Sequence, residues 1–188
     1  MRGWIILLTW DAILTYKAIR DAIKGQLGTG LFYLPPTLDG EEACRTVFVS
    51  REIRDIVMVP QDRSRDARRH AALRALLDAF TIGTEITIAE NPHDKDRCAM
   101  LARIEPVSAE VWDFRCLDPK PGIRAFGRFS EPDIFVALTW NYRENIHPNN
   151  WAHEVTRCQD EWQRLVGYNS PHHGNTINAY LTCNWRPV

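Results

Sequence analysis

The chain has 188 residues, 45% of them hydrophobic, and a formal net charge of −1 at pH 7. That length and apolar content support a sizeable core without metal or disulfide staples. The near-neutral balance excludes a global electrostatic drive toward nucleic acid or an anionic membrane, so any nucleic-acid role must rest on a local patch.

Taken in order, Gly3 to Leu8 reads as a short buried strand, too short and too soon interrupted by Asp11 to be a signal sequence. Thr9 can cap a helix from Trp10 to Lys24, whose apolar positions 10, 13, 14, 18 and 22 share one stripe, and Gly25, Gly28 and Gly30 end it. Leu31 to Leu34 reads as a strand and Leu38 to Glu42 as a surface turn. Thr46 to Ser50 and Asp55 to Val59 are both β-rich and are expected to pair, with the charged Arg51 to Arg54 between them. After a polar, basic stretch, Leu73, Leu76, Leu77 and Phe80 fall at i, i+3, i+4 and i+7, which predicts a helix that Ser64 can cap and Gly83 ends. Glu85 to Ala89 is a strand, and Ala99 to Ile104 is either a strand or one helical turn.

Residues 111 to 140 organise the rest. Val111 to Arg115, Ile123 to Phe129 and Ile134 to Trp140 are three β-type runs joined by the Pro- and Gly-marked turns Leu117 to Gly122 and Ser130 to Asp133, which predicts an antiparallel meander. Asn149 or Asn150 then caps a helix from Trp151 to Val166, with Trp151, Val155, Cys158, Trp162 and Leu165 on one face. Tyr168 to Val188 is expected to wrap the surface. The fold class expected is α+β, an antiparallel sheet with helices packed on one face. Residues 1–62 would form an N-terminal α/β extension and 63–188 the main domain with its tail. No run approaches the roughly 18 apolar residues of a membrane span. The five cysteines are odd in number and lack a Cys-x-x-Cys pair, as expected for reduced thiols in a soluble cytoplasmic protein.

From Ser64 to Val166 the order is helix, strand, connection, meander, helix. With Val111-Trp112-Asp113-Phe114-Arg115, then Gly122-Ile123-Arg124-Ala125-Phe126, then Ile134-Phe135-Val136-Ala137-Leu138, it resembles the core of the RelE/ParE superfamily of toxins and their phage-encoded relatives. The resemblance implies a metal-independent endoribonuclease acting on mRNA at the ribosome, with an antitoxin as partner. Cations would stabilise the charge developing on phosphate, and a side chain would take the proton of the attacking 2′-hydroxyl. By strand position Arg124 and Arg128 become the candidate catalytic phosphate contacts, and Tyr142 the proton-transfer or stacking group with Arg143 beside it. The competing class is a non-catalytic phage or plasmid accessory protein that uses the same sheet face to bind a host protein or nucleic acid.

Arg124, Phe126 and Arg128 share one face of their strand, and an Arg-aromatic-Arg face can grip phosphate and stack a base. The bland alternative is a solvated face whose arginines pair with Glu131 or Asp133. Arg65, Arg68 and Arg69 make a basic ridge at a helix start, where cations are unfavourable, which hints at an anionic partner. A solvated ridge balanced by Asp62 and Asp66 is its alternative. His147 with His153, and the doublet His172-His173, lack a carboxylate or thiol at ligand spacing, so neither metal nor other cofactor is expected.

Overall fold

The computed structural model describes residues 10–38, 40–58, 65–91, 99–147 and 150–188, with the backbone alone for 10–14 and 65. The strand expected over Gly3–Leu8 and the cap expected at Ser64 lie outside the described residues. The fold is α+β, built on an eight-stranded sheet. The elements run α1 (Trp10–Gln26), β1 (Leu31–Tyr33), β2 (Thr46–Ser50), α2 (Arg51–Val57), α3 (Arg65–Thr81), β3 (Ile86–Ala89), β4 (Leu101–Arg103), β5 (Trp112–Cys116), β6 (Ile123–Glu131), β7 (Ile134–Tyr142), α4 (Trp151–Val166) and β8 (Trp185–Pro187).

The strand order is β1-β2-β7-β6-β5-β4-β3-β8. Its centre is the expected antiparallel meander, extended by β4. Its flanks are not antiparallel throughout: β2 runs parallel to β7, and β3 runs parallel to both β4 and β8. The sheet is continuous across residue 62, since β1 and β2 extend it beyond β7.

The helices cover both faces of the sheet rather than the one expected. Phe135 and Ala137 point into a core with Ile53 and Val57 of α2 and with Leu73, Leu77 and Phe80 of α3. Their neighbours Val136 and Leu138 point the other way, into a core with Ile19 and Ile23 of α1 and with Val155, Cys158, Trp162 and Leu165 of α4. Alternating apolar residues on β7 therefore need a cover on each side, which explains its nearly unbroken apolar run.

Of the segment expected as a strand at Asp55–Val59, Asp55 to Val57 lie instead in α2 and Met58 caps its end, while Val59 lies outside the described residues. Ser50 decides this locally. Its hydroxyl donates to the Leu138 carbonyl at 2.6 Å and accepts from the Ile53 amide at 3.3 Å, which caps the helix against β7. Ile53 and Val57, four apart, then fall on one buried face. Burial of that face outweighs the strand preference of their β-branched side chains.

One irregularity of the meander matters for the site. Phe126 of β6 pairs with Thr139, but the next residue, Gly127, pairs with Ala137, so Leu138 is an extra residue on β7. The bulge turns Leu138 and Thr139 to the same face and reverses the alternation beyond them. The backbones approach closely here, since a Cβ on Gly127 would lie 2.3 Å from the Val136 carbonyl oxygen.

The segment after α4 does more than wrap the surface. Ile177, Tyr180 and Leu181 are buried, and β8 closes the edge of β3. The Arg45 guanidinium, itself buried, donates from Nη1 to Phe80 O and Thr84 O and from Nη2 to Cys183 O and Asn184 O. Glu110, held at φ 52° in the left-handed region, accepts from Arg103, Tyr180 and His173 and so ties this segment to the sheet.

His172 is buried in the same region with both ring nitrogens engaged, Nδ1 2.6 Å from the Tyr16 hydroxyl and Nε2 2.7 Å from Ala179 O. Burial holds its pKa below the ordinary 6.5, against the raising pull of Ala179 O, Glu110 and Glu131. The unfolded chain therefore takes up the proton first. This contribution to stability is complete above about pH 6.5 and is lost as pH falls through the folded value. His70, also lowered by burial, adds the same sign. Urea midpoints should drop between about pH 7.5 and 5.5, and His172→Gln should flatten that dependence. Equal midpoints for the wild type would show a hydrated ring.

Candidate anion-binding pocket

On the face that carries α1 and α4, the half of the sheet nearest β3 leaves a cavity of about 200 Å³. Its depth has a simple origin. Ala89 of β3 pairs with Ala102 of β4, which pairs with Asp113 of β5, so two of the three side chains in that row are methyl groups. Arg115 of β5 lies directly opposite Arg124 of β6, and both line the cavity. Arg143, just past β7, comes in beside them, fixed by its amide on Gly122 O and its Nη1 on Ile146 O, both at 2.8 Å. Its guanidinium also lies 5.5 Å from the ring centre of Trp151, at the start of α4. Asn91, Arg103, Ile104, Glu105 and Trp151 complete the wall. Asn141, opposite Arg124 on β7, donates to Glu154 at 2.8 Å and ties α4 down beside the cavity.

Two like charges directly opposite on adjacent strands are unfavourable. Asp113 offsets this in part, its Oδ2 accepting from Arg124 Nη1 at 2.8 Å. Arg124 is only 5% exposed and its Nε has no hydrogen-bond partner. Burial is the largest influence lowering its pKa. Asp113 opposes that, while Arg115 and Arg143 add repulsion. An arginine remains protonated under such pressure, so the cavity keeps its positive charge. The same three arginines also line a wider, more open groove of about 870 Å³, which adds Lys120, Pro121, Gly122 and Glu144.

The structure divides the residues that sequence reasoning put together. Arg124 and Arg143 reach the pocket. Arg128 lies on the same face but beneath α4, where it donates to Ala109 O and sits 5.5 Å from the Trp162 ring. Phe126 is wholly buried, edge-on to Trp151. Tyr142 is on the opposite face, because the bulge at Leu138 reverses the alternation before it is reached. There it stacks on His70, with its hydroxyl 3.2 Å from Nε2, and lies 4.7 Å from the Arg69 guanidinium. Burial is the first cause raising its pKa. Arg69 is buried between Asp66 and Glu144, each at 3.4 Å, while Arg68 is exposed on α3. The side chain of Arg65 lies outside the described residues.

Arg115 and Asp113 belong to the strand pattern of residues 111–115, and their period of two places them on one face. Lys120 and Trp151 carried no such signal. Cys158, buried under α4, has its thiol pushed up to about 12 by burial and is no nucleophile near neutral pH. Among the described residues, no three His, Cys, Asp or Glu side chains gather as a metal site, and no helix is long and apolar enough to cross a membrane. The chain matches no family model, and no curated protein or solved structure is significantly similar to it.

Proposed function

We propose that this protein binds RNA, gripping a phosphate between Arg115, Arg124 and Arg143, and that it acts by occupancy rather than cleavage. The observation that carries this reading is the convergence of three guanidinium groups on one cavity, with the innermost buried, short of hydrogen-bond partners and repelled by the other two. An entering phosphate would relieve that repulsion and offer an acceptor to the unpartnered Nε of Arg124, in the way arginine forks recognise phosphate. Two of the runs behind the RelE-like resemblance supply the pocket: Asp113 and Arg115 come from the first and Arg124 from the second. Binding outranks cleavage because the expected proton-transfer group, Tyr142, is on the other face. The carboxylate closest to the cations, Asp113, is already held by Arg124.

Titration of a labelled single-stranded RNA tests this, with gel analysis of the same samples for cleavage. Arg115→Ala and Arg143→Ala should each weaken binding about tenfold or more, the loss of one charge-assisted contact. Each should also lower the salt slope by about 0.7. Arg68→Ala, on the exposed face of α3, should leave both unchanged, and the RNA should stay intact. Equal affinities for all four proteins would remove the pocket from RNA binding, and cut RNA would restore the nuclease reading.

A further inference from the structure

We infer that the pocket grips the phosphate at the end of an RNA strand, a monoester, in preference to the phosphodiesters within it. This rests on the RNA-binding reading above and names the part of the strand that the same site takes. Two observations carry it: the depth of the innermost donor, and the meeting of three guanidinium groups over a closed floor.

Arg124 is 5% exposed and its unpartnered Nε lies below the surface, whereas Arg115 and Arg143 are half-buried. A phosphate that touches all three must therefore project into the cavity. The floor it meets is the sheet itself, in the row Ala89, Ala102 and Asp113, and no strand can pass through that. The open groove of about 870 Å³, which shares the three arginines and continues past Lys120 and Pro121, is the approach. An internal phosphodiester arrives with a sugar on each side, so the chain would have to bend into the cavity and turn back. A terminal phosphate has a sugar on one side only and leads with its free oxygens.

The number of those oxygens points the same way. A phosphodiester has two unesterified oxygens and a single charge, while a monoester has three and carries about −1.5 to −2 at pH 7. The guanidinium groups come from β5, from β6 and from just past β7, and a third oxygen gives each of them an acceptor of its own. The other charged groups of the lining do not cancel this preference. Arg103 is committed to Glu110, Val107 O and Gly174 O, and Asp113 to Arg124. Glu105 is exposed at the edge, where water and salt screen its repulsion of an anion.

The experiment uses one RNA decamer with an internal fluorophore in four forms: 5′-phosphorylated, 3′-phosphorylated, with hydroxyls at both ends, and circular. At least one phosphorylated form should bind the wild-type protein about tenfold or more tightly than the hydroxyl-ended form, the worth of one charge-assisted contact. The circle should bind like the hydroxyl-ended form, and the tighter of the two phosphorylated forms identifies the end that enters. Arg115→Ala and Arg143→Ala should each remove most of that gain while changing the affinity for hydroxyl-ended RNA by less than about threefold, the coupling expected of groups in direct contact. Equal affinity for all four forms, still dependent on the arginines, would overturn this inference and leave a grip on internal phosphates standing. No binding to any form, or binding that both substitutions leave unchanged, would instead remove the RNA-binding reading beneath it. The comparison of the four ligands needs only the wild-type protein, so it decides the matter even if a variant fails to fold.

Discussion

Trp162→Ala should destabilise the protein by about 3–5 kcal/mol, the range for emptying a buried aromatic site. Trp162 is 2% exposed at the middle of the apolar stripe of α4. Three losses add up there. The ring's contact with the second core goes, together with the cavity that a rigid helix cannot close. Its Nε1 donates to Asn169 O at 2.8 Å, so that carbonyl loses its partner. Arg128, buried beneath the ring, would also lose its aromatic cover. Urea unfolding followed by circular dichroism should show a clear fall in the midpoint, and Trp162→Phe should recover most of it. An unchanged midpoint for the alanine variant would mean that this face of α4 does not pack on the sheet.

Asp113→Ala should cost about as much, roughly 3–5 kcal/mol, for an electrostatic reason. Its partner Arg124 is almost wholly buried, so the substitution takes away the carboxylate that balances its charge and leaves the repulsion of Arg115 and Arg143. The recovery is more telling than the loss. If the pocket binds anions, inorganic phosphate should restore part of the stability, and more of it in Asp113→Ala than in the wild type, because a bound ligand stabilises in proportion to its affinity for the folded state. A loss under about 1 kcal/mol would place this pair among the solvated ones.

Much of the scaffold was legible in the sequence. The stripes of α3 and α4 and the three runs of the meander have unmistakable periods, and their ends fall within a few residues of the expected ones. Helix α2 was not legible, because Ile53, Ile56 and Val57 look like strand residues until Ser50 is seen to anchor its cap on Leu138, eighty-eight positions away. The extra residue in β7 was equally hidden. Nothing in Ile134 to Tyr142 marks Leu138 as unpaired, and the close approach at Gly127 that goes with it is a tertiary fact. Without the bulge, Tyr142 would share a face with Leu138, and the expected site would have been a geometric unit. Arg124 and Arg143 could be picked out by their positions. The cavity could not, since its depth comes from Ala89 and Ala102, whose place beside Asp113 is set by strand order alone.

The way Arg45 and β8 close the sheet has a consequence for synthesis on the ribosome. Arg45 is translated early, yet two of its four carbonyl partners belong to Cys183 and Asn184. The outer edge of β3 is likewise covered by residues 184–188. A nascent chain that has not reached them carries a naked strand edge and an arginine short of acceptors, the combination that invites pairing with another chain. Once they emerge, the outermost strand is three residues long and ends at Pro187, which has no amide hydrogen to offer a neighbour. The finished sheet thus discourages the intermolecular association to which its own intermediate is open.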